Sequence, residues 1–318
     1  MVEVGIPVYK ARKTLPKALD SLVAQTRDRF ITCLSIDGDG ENYDDIIKEY
    51  QRRGLKIRVI RSNENGGPGM ARQRVLDTTQ CDYIMFMDSD DMLMPRAVDL
   101  LYTQSKQGDF DIVRSSFIRE EKVKQDMYLP QNAGTITWFH GKIYKVAYLK
   151  SLKLRFLPLM TDEDAYFNLV AWNTTKKRGE ISEVTYLWRF NENSLTRSSS
   201  SREYFTATYM NYIISQVEGL KKLAELGGGD VNPKLVSQTL INIYSYYMHA
   251  KFYNIPGEQM DSVIGTLRSE QWMQAFLNGA ENWVDIIKSL HAGDVYDKEF
   301  VVFYSETFNL WAKRLLKA

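Results

Sequence analysis

The chain has 318 residues, enough for one large α/β domain with an accessory region or for two ordinary domains. Hydrophobic residues make up 44% and charged residues 25%, which is typical of globular proteins and excludes disordered, collagen-like and disulfide-stapled proteins. The 41 basic residues nearly balance the 40 acidic ones, giving a net charge of +1. This balance argues against nucleic-acid binding through overall charge, although a local basic surface remains an alternative.

Segments typical of strands and of amphipathic helices alternate over about the first 120 residues. Strands are predicted over four apolar stretches: 2–8, 30–36, 56–60 and 83–87. Helices are predicted to begin at or just after four places: Thr14, Tyr43, the glycine-rich turn 65–69, and Pro95. The alternation predicts an α/β fold, a mainly parallel sheet with helices on both faces. Such sheets bind ligands at the carboxyl ends of their strands, where Pro7, Asp37 and Asp88 lie.

The rest of the chain changes character near residue 200. Before it, three elements are predicted: strands at 110–117 and 184–190 and a helix at 163–172. From Arg202 the apolar residues recur with a helical period, which Gly227–Gly229 interrupts. Further helices are predicted over three segments: 233–253, 258–278 and 296–317. We therefore expect two domains, a sheet-containing domain over 1–200 and a helical domain over 201–318.

Cysteine usage and hydropathy indicate the compartment. Cys33 and Cys81 lie in or beside strand-like runs, which favours buried thiols in a reducing environment. The first residues enter a strand pattern directly, so no signal peptide is expected. No stretch approaches the roughly 18 apolar residues of a membrane span. The sequence therefore predicts a soluble, cytoplasmic protein without an integral membrane segment.

The acidic turn Asp88-Ser89-Asp90-Asp91 directly follows an apolar strand. Crowded carboxylates repel one another more strongly as they become buried, so a positive partner is expected. Oxygen ligands suit Mg²⁺ or Mn²⁺, with water and substrate phosphates completing the coordination. The turn therefore predicts a divalent metal site, and a solvated turn before the next helix is the alternative.

Three further features point to the same chemistry, although each has a simpler explanation. Asp37 and Asp39 can accept hydrogen bonds from a base or a ribose, or can serve as ordinary turn residues. The segment 65–74 allows close backbone approach and opens a helix whose N-terminus favours anions, but it matches neither known phosphate-loop fingerprint. The acidic run 162–164 can supply a general base, or can simply complement a helix dipole.

Taken together, six segments occur in the order and spacing of one family: Val4-Gly5-Ile6-Pro7-Val8-Tyr9, Ile36-Asp37-Gly38-Asp39, Asn65-Gly66-Gly67-Pro68-Gly69-Met70-Ala71-Arg72-Gln73, Asp88-Ser89-Asp90-Asp91, Gly141-Lys142-Ile143-Tyr144 and Glu163-Asp164. Over about residues 2–200 the chain resembles the family 2 glycosyltransferases of the GT-A fold. The helical C-terminal region lies outside the resemblance. We expect that region to shape the acceptor side or an interface of a homo-oligomer.

The resemblance implies a donor made of a sugar and a nucleoside diphosphate, with a UDP-sugar favoured. Donor-binding roles fall on Pro7, Tyr9, Asp37, Asp39, Gly67, Arg72, Asp88, Ser89, Asp90 and Arg189. Asp88, Asp90 and Asp91 are the candidate ligands of Mn²⁺ or Mg²⁺, and which of them binds directly is left open.

The resemblance also implies an inverting mechanism, in which Asp164, paired with Glu163, takes the proton of the acceptor hydroxyl during a single displacement. Three arginines are candidates for stabilising the leaving diphosphate, with a solvent-facing role as the alternative for each: Arg72, Arg189 and Arg197. Three positions depart from the family pattern. Asn191 stands where histidine is common, which puts a histidine contact there in doubt. Gln73 replaces the usual asparagine, and Lys10 follows Tyr9 where asparagine is frequent.

The acceptor is expected near Trp138, His140 and Lys142, in a region with several lysines and aromatic residues. A saccharide acceptor is favoured, and His140 is favoured as a structural or acceptor-contacting residue over a general base. Aromatic and basic residues together also suit nucleic acid, so transfer to hydroxymethylated DNA bases is an alternative. A sugar nucleotidyltransferase and a non-catalytic nucleotide-sugar binding module are alternatives from other classes.

Overall fold

The computed structural model describes residues 1–124, 127–133, 136–191, 202–279 and 298–317. The chain divides into two compact units, Met1–Ser198 and Ser199–Ala318, each of which is described by itself.

The first unit begins with the predicted alternation of strands and helices. Its strands are β1 (Val2–Val8), β2 (Phe30–Asp37), β3 (Ile57–Ser62) and β4 (Tyr83–Phe86). Its helices are α1 (Leu15–Val23), α2 (Asp44–Arg52) and α3 (Gly67–Thr78). The strands pair in the order β3-β2-β1-β4, and every pair is parallel, because a crossover helix separates each strand from the next.

The sheet continues with elements that do not alternate. They are β5 (Met92–Leu93), α4 (Ala97–Gln107), β6 (Ile112–Lys124), β7 (Met127–Ala133), β8 (Lys142–Lys145), α5 (Val146–Ser151), α6 (Glu163–Thr174) and β9 (Arg178–Trp188). The full order is β3-β2-β1-β4-β8-β6-β9-β5, with β7 paired to β6. Strand β8 runs antiparallel to both β4 and β6, whereas β9 runs parallel to β6. The α/β fold is confirmed, but the sheet is parallel only up to β4 and mixed beyond it.

Apolar side chains of β1 and β2 form the core with one face of α1. Val4, Ile6 and Leu34 are fully buried against Leu15 and Leu19. Both cysteines are free and buried, as predicted. Thr14 occupies the N-cap position of α1 but makes no side-chain cap bond.

The second unit contains α7 (Arg202–Leu226), α8 (Pro233–Phe252), α9 (Glu258–Gly265), a 3-10 turn (Thr266–Ser269), α10 (Gln271–Gly279) and α11 (Lys298–Leu316). The glycine run ends α7, and Asn232 caps α8 by accepting from the backbone N–H groups of Lys234 and Leu235. The single helix predicted over 258–278 is wrong, because the 3-10 turn interrupts it. The unit has its own core, which includes Leu240, Ile264 and Phe308. No helix among the described residues is long and apolar enough to cross a membrane.

Candidate functional site

The acidic turn lies at the carboxyl end of β4 and is fixed by strand β9. The hydroxyl of Tyr186 donates to Oδ2 of Asp91 at 2.6 Å and accepts from the N–H of Asp88 at 3.2 Å. The N–H of Arg189 donates to Oδ1 of Asp91 at 2.8 Å. Burial raises the pKa of Asp91 well above its usual value, and the neighbouring carboxylates of Asp90 and Asp88 add to the effect. The turn therefore holds more negative charge than its surroundings stabilise.

Asp90 contacts Asn191, which lies three residues after the end of β9. Nδ2 of Asn191 donates to Oδ2 of Asp90 at 2.8 Å. Burial raises the pKa of Asp90, and the charge on Asp88 raises it further. Ser89 is half-buried between these carboxylates. The asparagine that departs from the family pattern therefore contacts the acidic turn, whereas Arg197 lies outside the described residues.

His140 lies beside the same turn. Its Nε2 is 3.8 Å from Oδ2 of Asp91, and its ring stacks on Tyr186 with centroids 4.5 Å apart. Burial lowers the pKa of His140 to about 3, so the imidazole is neutral. The buried Nδ1 atom has no hydrogen-bond partner among the described residues. His140 was expected on the acceptor side; it is buried in contact with the acidic turn.

Asp88, Asp91 and His140 bring one potential ligand atom each to within 4.8 Å of one another. The two carboxylate oxygens suit Mg²⁺ or Mn²⁺, and the neutral imidazole nitrogen adds a ligand typical of transition metals. A cation would also offset the charge that raises the pKa of both Asp90 and Asp91. The residues present therefore fit a divalent metal, and they include a nitrogen ligand that the sequence motif did not suggest.

Arg72 links the acidic turn to the start of α6. Its side chain is only 5% exposed, and its two terminal nitrogens form ion pairs with Asp88 and Glu163. The guanidinium carbon lies 4.9 Å from the centroid of the Phe139 ring. The fork of Arg72 therefore already contacts two carboxylates, and a direct contact with donor phosphate would have to replace one of them.

Glu163 and Asp164 occupy the first turn of α6 and have different surroundings. Glu163 is buried in its ion pair with Arg72. Asp164 is half-buried and accepts from the N–H of Ala165 at 2.8 Å. Burial raises the pKa of Asp164 well above its usual value, and the adjacent Glu163 raises it further. Burial also raises the pKa of Glu163, and the charge of Arg72 opposes that effect. Of the two carboxylates, Asp164 is the more exposed one and is therefore available to a second molecule.

Asp162 holds an unusual backbone conformation directly before this pair. It is the N-cap residue of α6 with φ +62°, in the left-handed region, and its side chain makes no cap hydrogen bond. Its buried Oδ2 atom has no hydrogen-bond partner among the described residues. Burial raises the pKa of Asp162 to about 7. The carboxylate is therefore held in a conformation and an environment that both cost free energy at neutral pH.

We expect Asp162→Asn to stabilise the protein at pH 8 and to have little effect at pH 4. The folded-state pKa of Asp162, about 7, lies above the ordinary value of 3.8, so the folded state binds more protons than the unfolded state between these values. Wild-type stability therefore falls as pH rises through this window, and asparagine, which tolerates the left-handed region, removes that loss. Denaturant unfolding of both proteins from pH 4 to pH 8 measures it, with Asp230→Asn at an exposed position as the control. A constant difference across the pH range would contradict the assignment.

The glycine-rich turn is held by Asp37. Its buried carboxylate accepts from the N–H of Gly67 at 2.8 Å and from that of Gly66 at 3.2 Å, and it pairs with Arg74. The N–H of Gly67, which sequence analysis assigned to the donor, therefore already donates to a protein carboxylate. Gly67 has φ +83°, a conformation that favours glycine.

The loop after β1 is arranged by Asp39. Its carboxylate accepts from the N–H of Lys10 and the hydroxyl of Tyr43, at 2.7 and 2.5 Å. This loop places Tyr9 at the carboxyl end of β1 with its side chain 42% exposed, while Pro7 lies within the strand. Tyr9 is therefore the accessible ring at this edge, suited to stacking against a base.

Three of the basic side chains expected to form an acceptor groove are buried or paired. Lys142 is only 2% exposed, donates to the carbonyl of Trp138, and has a pKa lowered to about 7 by burial. Lys145 pairs with Asp109, and Arg155 pairs with Asp77. Trp138 packs against Phe117 and Trp188. Lys142 is therefore not on the surface, whereas other lysines of the segment are exposed.

The chain is similar to several glycosyltransferases. The relatives include "Uncharacterized glycosyltransferase EpsJ" of Bacillus subtilis, 27% identical over 217 residues, which is 62% of this chain and 63% of that protein. They also include "Poly(ribitol-phosphate) beta-glucosyltransferase" of Bacillus spizizenii, 28% identical over 202 residues, or 59% of this chain and 32% of that protein. The chain thus matches less than two thirds of the length of either.

Among solved structures, TarS residues 1–349 of S. aureus in complex with UDP superimposes with a TM-score of 0.65 at 18% identity. The superposition covers 98% of this chain and 89% of that one, so the likeness in fold includes the helical C-terminal region. The family described as "Glycosyl transferase family 2" matches residues 3–161, half of the chain. The acidic turn, the glycine-rich turn and strands β2 to β4 lie within that match, and the chain belongs to glycosyltransferase family 2.

Proposed function

We propose that this protein transfers a sugar from a UDP-sugar to a hydroxyl group of a saccharide acceptor, with inversion at the anomeric carbon. One observation carries the proposal: a single buried arginine, Arg72, joins the acidic turn to the start of the helix that bears Asp164. The group suited to bind a diphosphate and the group suited to take a proton therefore lie on the two sides of one ion-pair network.

The donor would bind at the carboxyl ends of β1 and β4. Tyr9 offers an exposed ring for the base, and Asp88 is the most exposed carboxylate of the Arg72 network, with a side chain that is 37% exposed. A divalent cation held by Asp88, Asp91 and His140 would supply positive charge beside the leaving diphosphate. Arg189, whose backbone N–H donates to Asp91, would add a second positive charge there.

Asp164 would act as the general base. It accepts the proton of the acceptor hydroxyl while that oxygen forms a bond to the anomeric carbon, and the bond between this carbon and the diphosphate oxygen breaks. The electron pair of the broken bond leaves with UDP. A single displacement of this kind inverts the anomeric carbon and needs no covalent enzyme intermediate.

The similar proteins support the choice of donor and acceptor class. TarS structures contain UDP in one case and UDP-GlcNAc in another. The Bacillus spizizenii relative is described as acting on poly(ribitol-phosphate), a polymer rich in hydroxyl groups. A hydroxylated glycan or glycan-like polymer is therefore the acceptor class we propose. Transfer to DNA is less favoured, because Lys142 is buried and Lys145 is paired with Asp109.

The test is a donor screen followed by an acceptor panel. Purified protein with Mn²⁺ is incubated with UDP-glucose, UDP-GlcNAc and GDP-mannose, and released nucleotide is quantified by chromatography. We expect UDP release, faster when a suitable polyol or glycan acceptor is added, and an inverted anomeric configuration in the product by NMR. Release of pyrophosphate would instead indicate a nucleotidyltransferase, and faster release only with hydroxymethylated DNA would overturn the saccharide acceptor.

A further inference from the structure

We propose that Arg72 is a positioning residue that holds the start of α6, and with it Asp164, in register with the donor-binding acidic turn. The inference rests on the proposed function, because it takes Asp164 as the general base. It assigns Arg72 a role other than contact with the donor.

The geometry of Arg72 suits a tether. Its partners lie 16 and 91 residues away along the chain, in the acidic turn and in the first turn of α6. The planar guanidinium presents donors in a fixed fork, so that binding Asp88 through one nitrogen fixes where Glu163 can bind the other. The ring of Phe139 lies against the same group and limits its movement. A lysine would keep the charge but could not hold both carboxylates in one geometry.

Glu163 is also confined from the other side. A Cβ atom added to Gly69 in α3 would lie 2.9 Å from Cγ of Glu163 and 2.9 Å from the carbonyl oxygen of Leu157. The glycine therefore allows α3 to approach Glu163 closely, and there is little space for the glutamate to move. Because Asp164 follows Glu163 directly on the same helical turn, fixing Glu163 also fixes the backbone from which Asp164 projects.

The charges around Asp164 provide a way to distinguish the proposed role of Arg72 from a purely structural one. Three carboxylates act on it, namely Glu163, Asp162 and Asp88, and two cations oppose them, Arg72 and the buried Lys142. The hydroxyl of Tyr144 is a further titratable neighbour. Removal of Arg72 leaves Lys142 as the cation facing three carboxylates. Asp164 should then hold its proton to higher pH, and the acidic limb of the pH–rate profile should move upward.

The experiment compares Arg72→Gln and Arg72→Lys with the wild type. We expect Arg72→Gln to lower the transfer rate by about 100-fold, since small misplacements of reacting groups have effects of that order. Its affinity for UDP should fall less than tenfold, and its acidic limb should shift to higher pH. Arg72→Lys should show a similar loss of transfer rate, because lysine cannot hold both carboxylates in one geometry. The acidic limb of its pH–rate profile should stay close to that of the wild type, because lysine keeps the positive charge.

Arg58→Gln and Arg58→Lys are the matched controls. Arg58 pairs with the buried Glu3 on β1, near the amino ends of the strands and therefore at the opposite edge of the sheet from Asp88. These variants should lower thermal stability. Their pH–rate profile should match that of the wild type, and their transfer rate should not fall more than their UDP affinity. Amide hydrogen exchange in the ligand-free proteins adds a readout that needs no substrate. Exchange at residues 163–166 should accelerate in Arg72→Gln and not in Arg58→Gln.

Transfer within threefold of the wild type in both folded Arg72 variants would overturn the inference, as would equal losses of rate and UDP affinity. If Arg72→Gln does not fold, Glu163→Gln breaks one arm of the same tether and should reproduce the loss of rate and the faster exchange. Absence of transfer in the wild type would overturn the proposed function instead. In that case unchanged exchange at residues 163–166 in Arg72→Gln would still overturn the tether.

Discussion

Asp164→Asn is expected to reduce sugar transfer by about 10²–10⁴-fold, the range that positioned general bases contribute. The substitution keeps the shape of the side chain and its hydrogen bond from the Ala165 N–H, but it removes the group that accepts a proton. UDP affinity should stay within a few-fold of the wild type, because Asp88 and Asp91 are untouched. The transfer rate at saturating donor, measured beside UDP binding by calorimetry, separates the two effects.

The matched control for this variant is Asp162→Asn. It removes a neighbouring carboxylate two positions earlier, at the N-cap of the same helix, and should leave the transfer rate within a few-fold. A helix-capping role for Asp164 would instead predict a loss of about 0.5–2 kcal/mol in stability with a modest change in rate. If Asp164→Asn turned over within a few-fold of the wild type, Asp164 would not be the base. Glu163, which is paired with Arg72, would be a poor replacement.

Divalent metal should strengthen UDP binding, and His140 should matter for that effect. We expect calorimetry to show tighter UDP binding with Mn²⁺ than with EDTA. His140→Gln and Asp91→Asn should each weaken Mn²⁺ binding by at least about tenfold, since even groups that only orient metal ligands have effects of that size. The reason is that Asp88, Asp91 and His140 are the residues whose ligand atoms lie close together.

Electron paramagnetic resonance of Mn²⁺ measures the metal affinity directly, without turnover. His249→Gln, at an exposed position on α8, is the control and should bind Mn²⁺ like the wild type. Nitrogen coupling to bound Mn²⁺ should be present in the wild type and lost in His140→Gln. Equal Mn²⁺ affinity in the wild type, His140→Gln and Asp91→Asn would refute this site. Asp90→Asn, which alters the carboxylate facing Asn191, would then be the variant to examine.

Local sequence patterns were enough to predict the parallel half of the sheet and the edge at which the site lies. Where strands and helices alternate regularly, each helix returns the chain to the end of the sheet at which the previous strand began. Short connections therefore favour parallel pairing of the strands. The carboxyl ends of β1, β2 and β4 must then meet at one edge, which is why Pro7, Asp37 and Asp88 could be placed together in advance. The motif order was sufficient to indicate the family.

The pairing of the later strands and the partners of the charged residues became known only from the folded chain. Strand β8 enters between β4 and β6 antiparallel to both, and no local pattern in four residues specifies that position. Hydrophobic period likewise reports which face of an element is buried but not what a buried polar group contacts. Lys142 was therefore expected on an acceptor surface, although it lies in the interior.

The same limit applies to the site. Asp37 and Arg72 were assigned to the donor because their types suit it, whereas the structure pairs Asp37 with the glycine turn and Arg72 with Asp88 and Glu163. His140 reaches the acidic turn only because β8 lies beside β4. Interactions between groups 16 to 91 residues apart depend on rotamers, burial and competing partners, which are properties of the packed chain. Local sequence encodes which residues are available for catalysis, and packing decides which of them remain free to contact substrate.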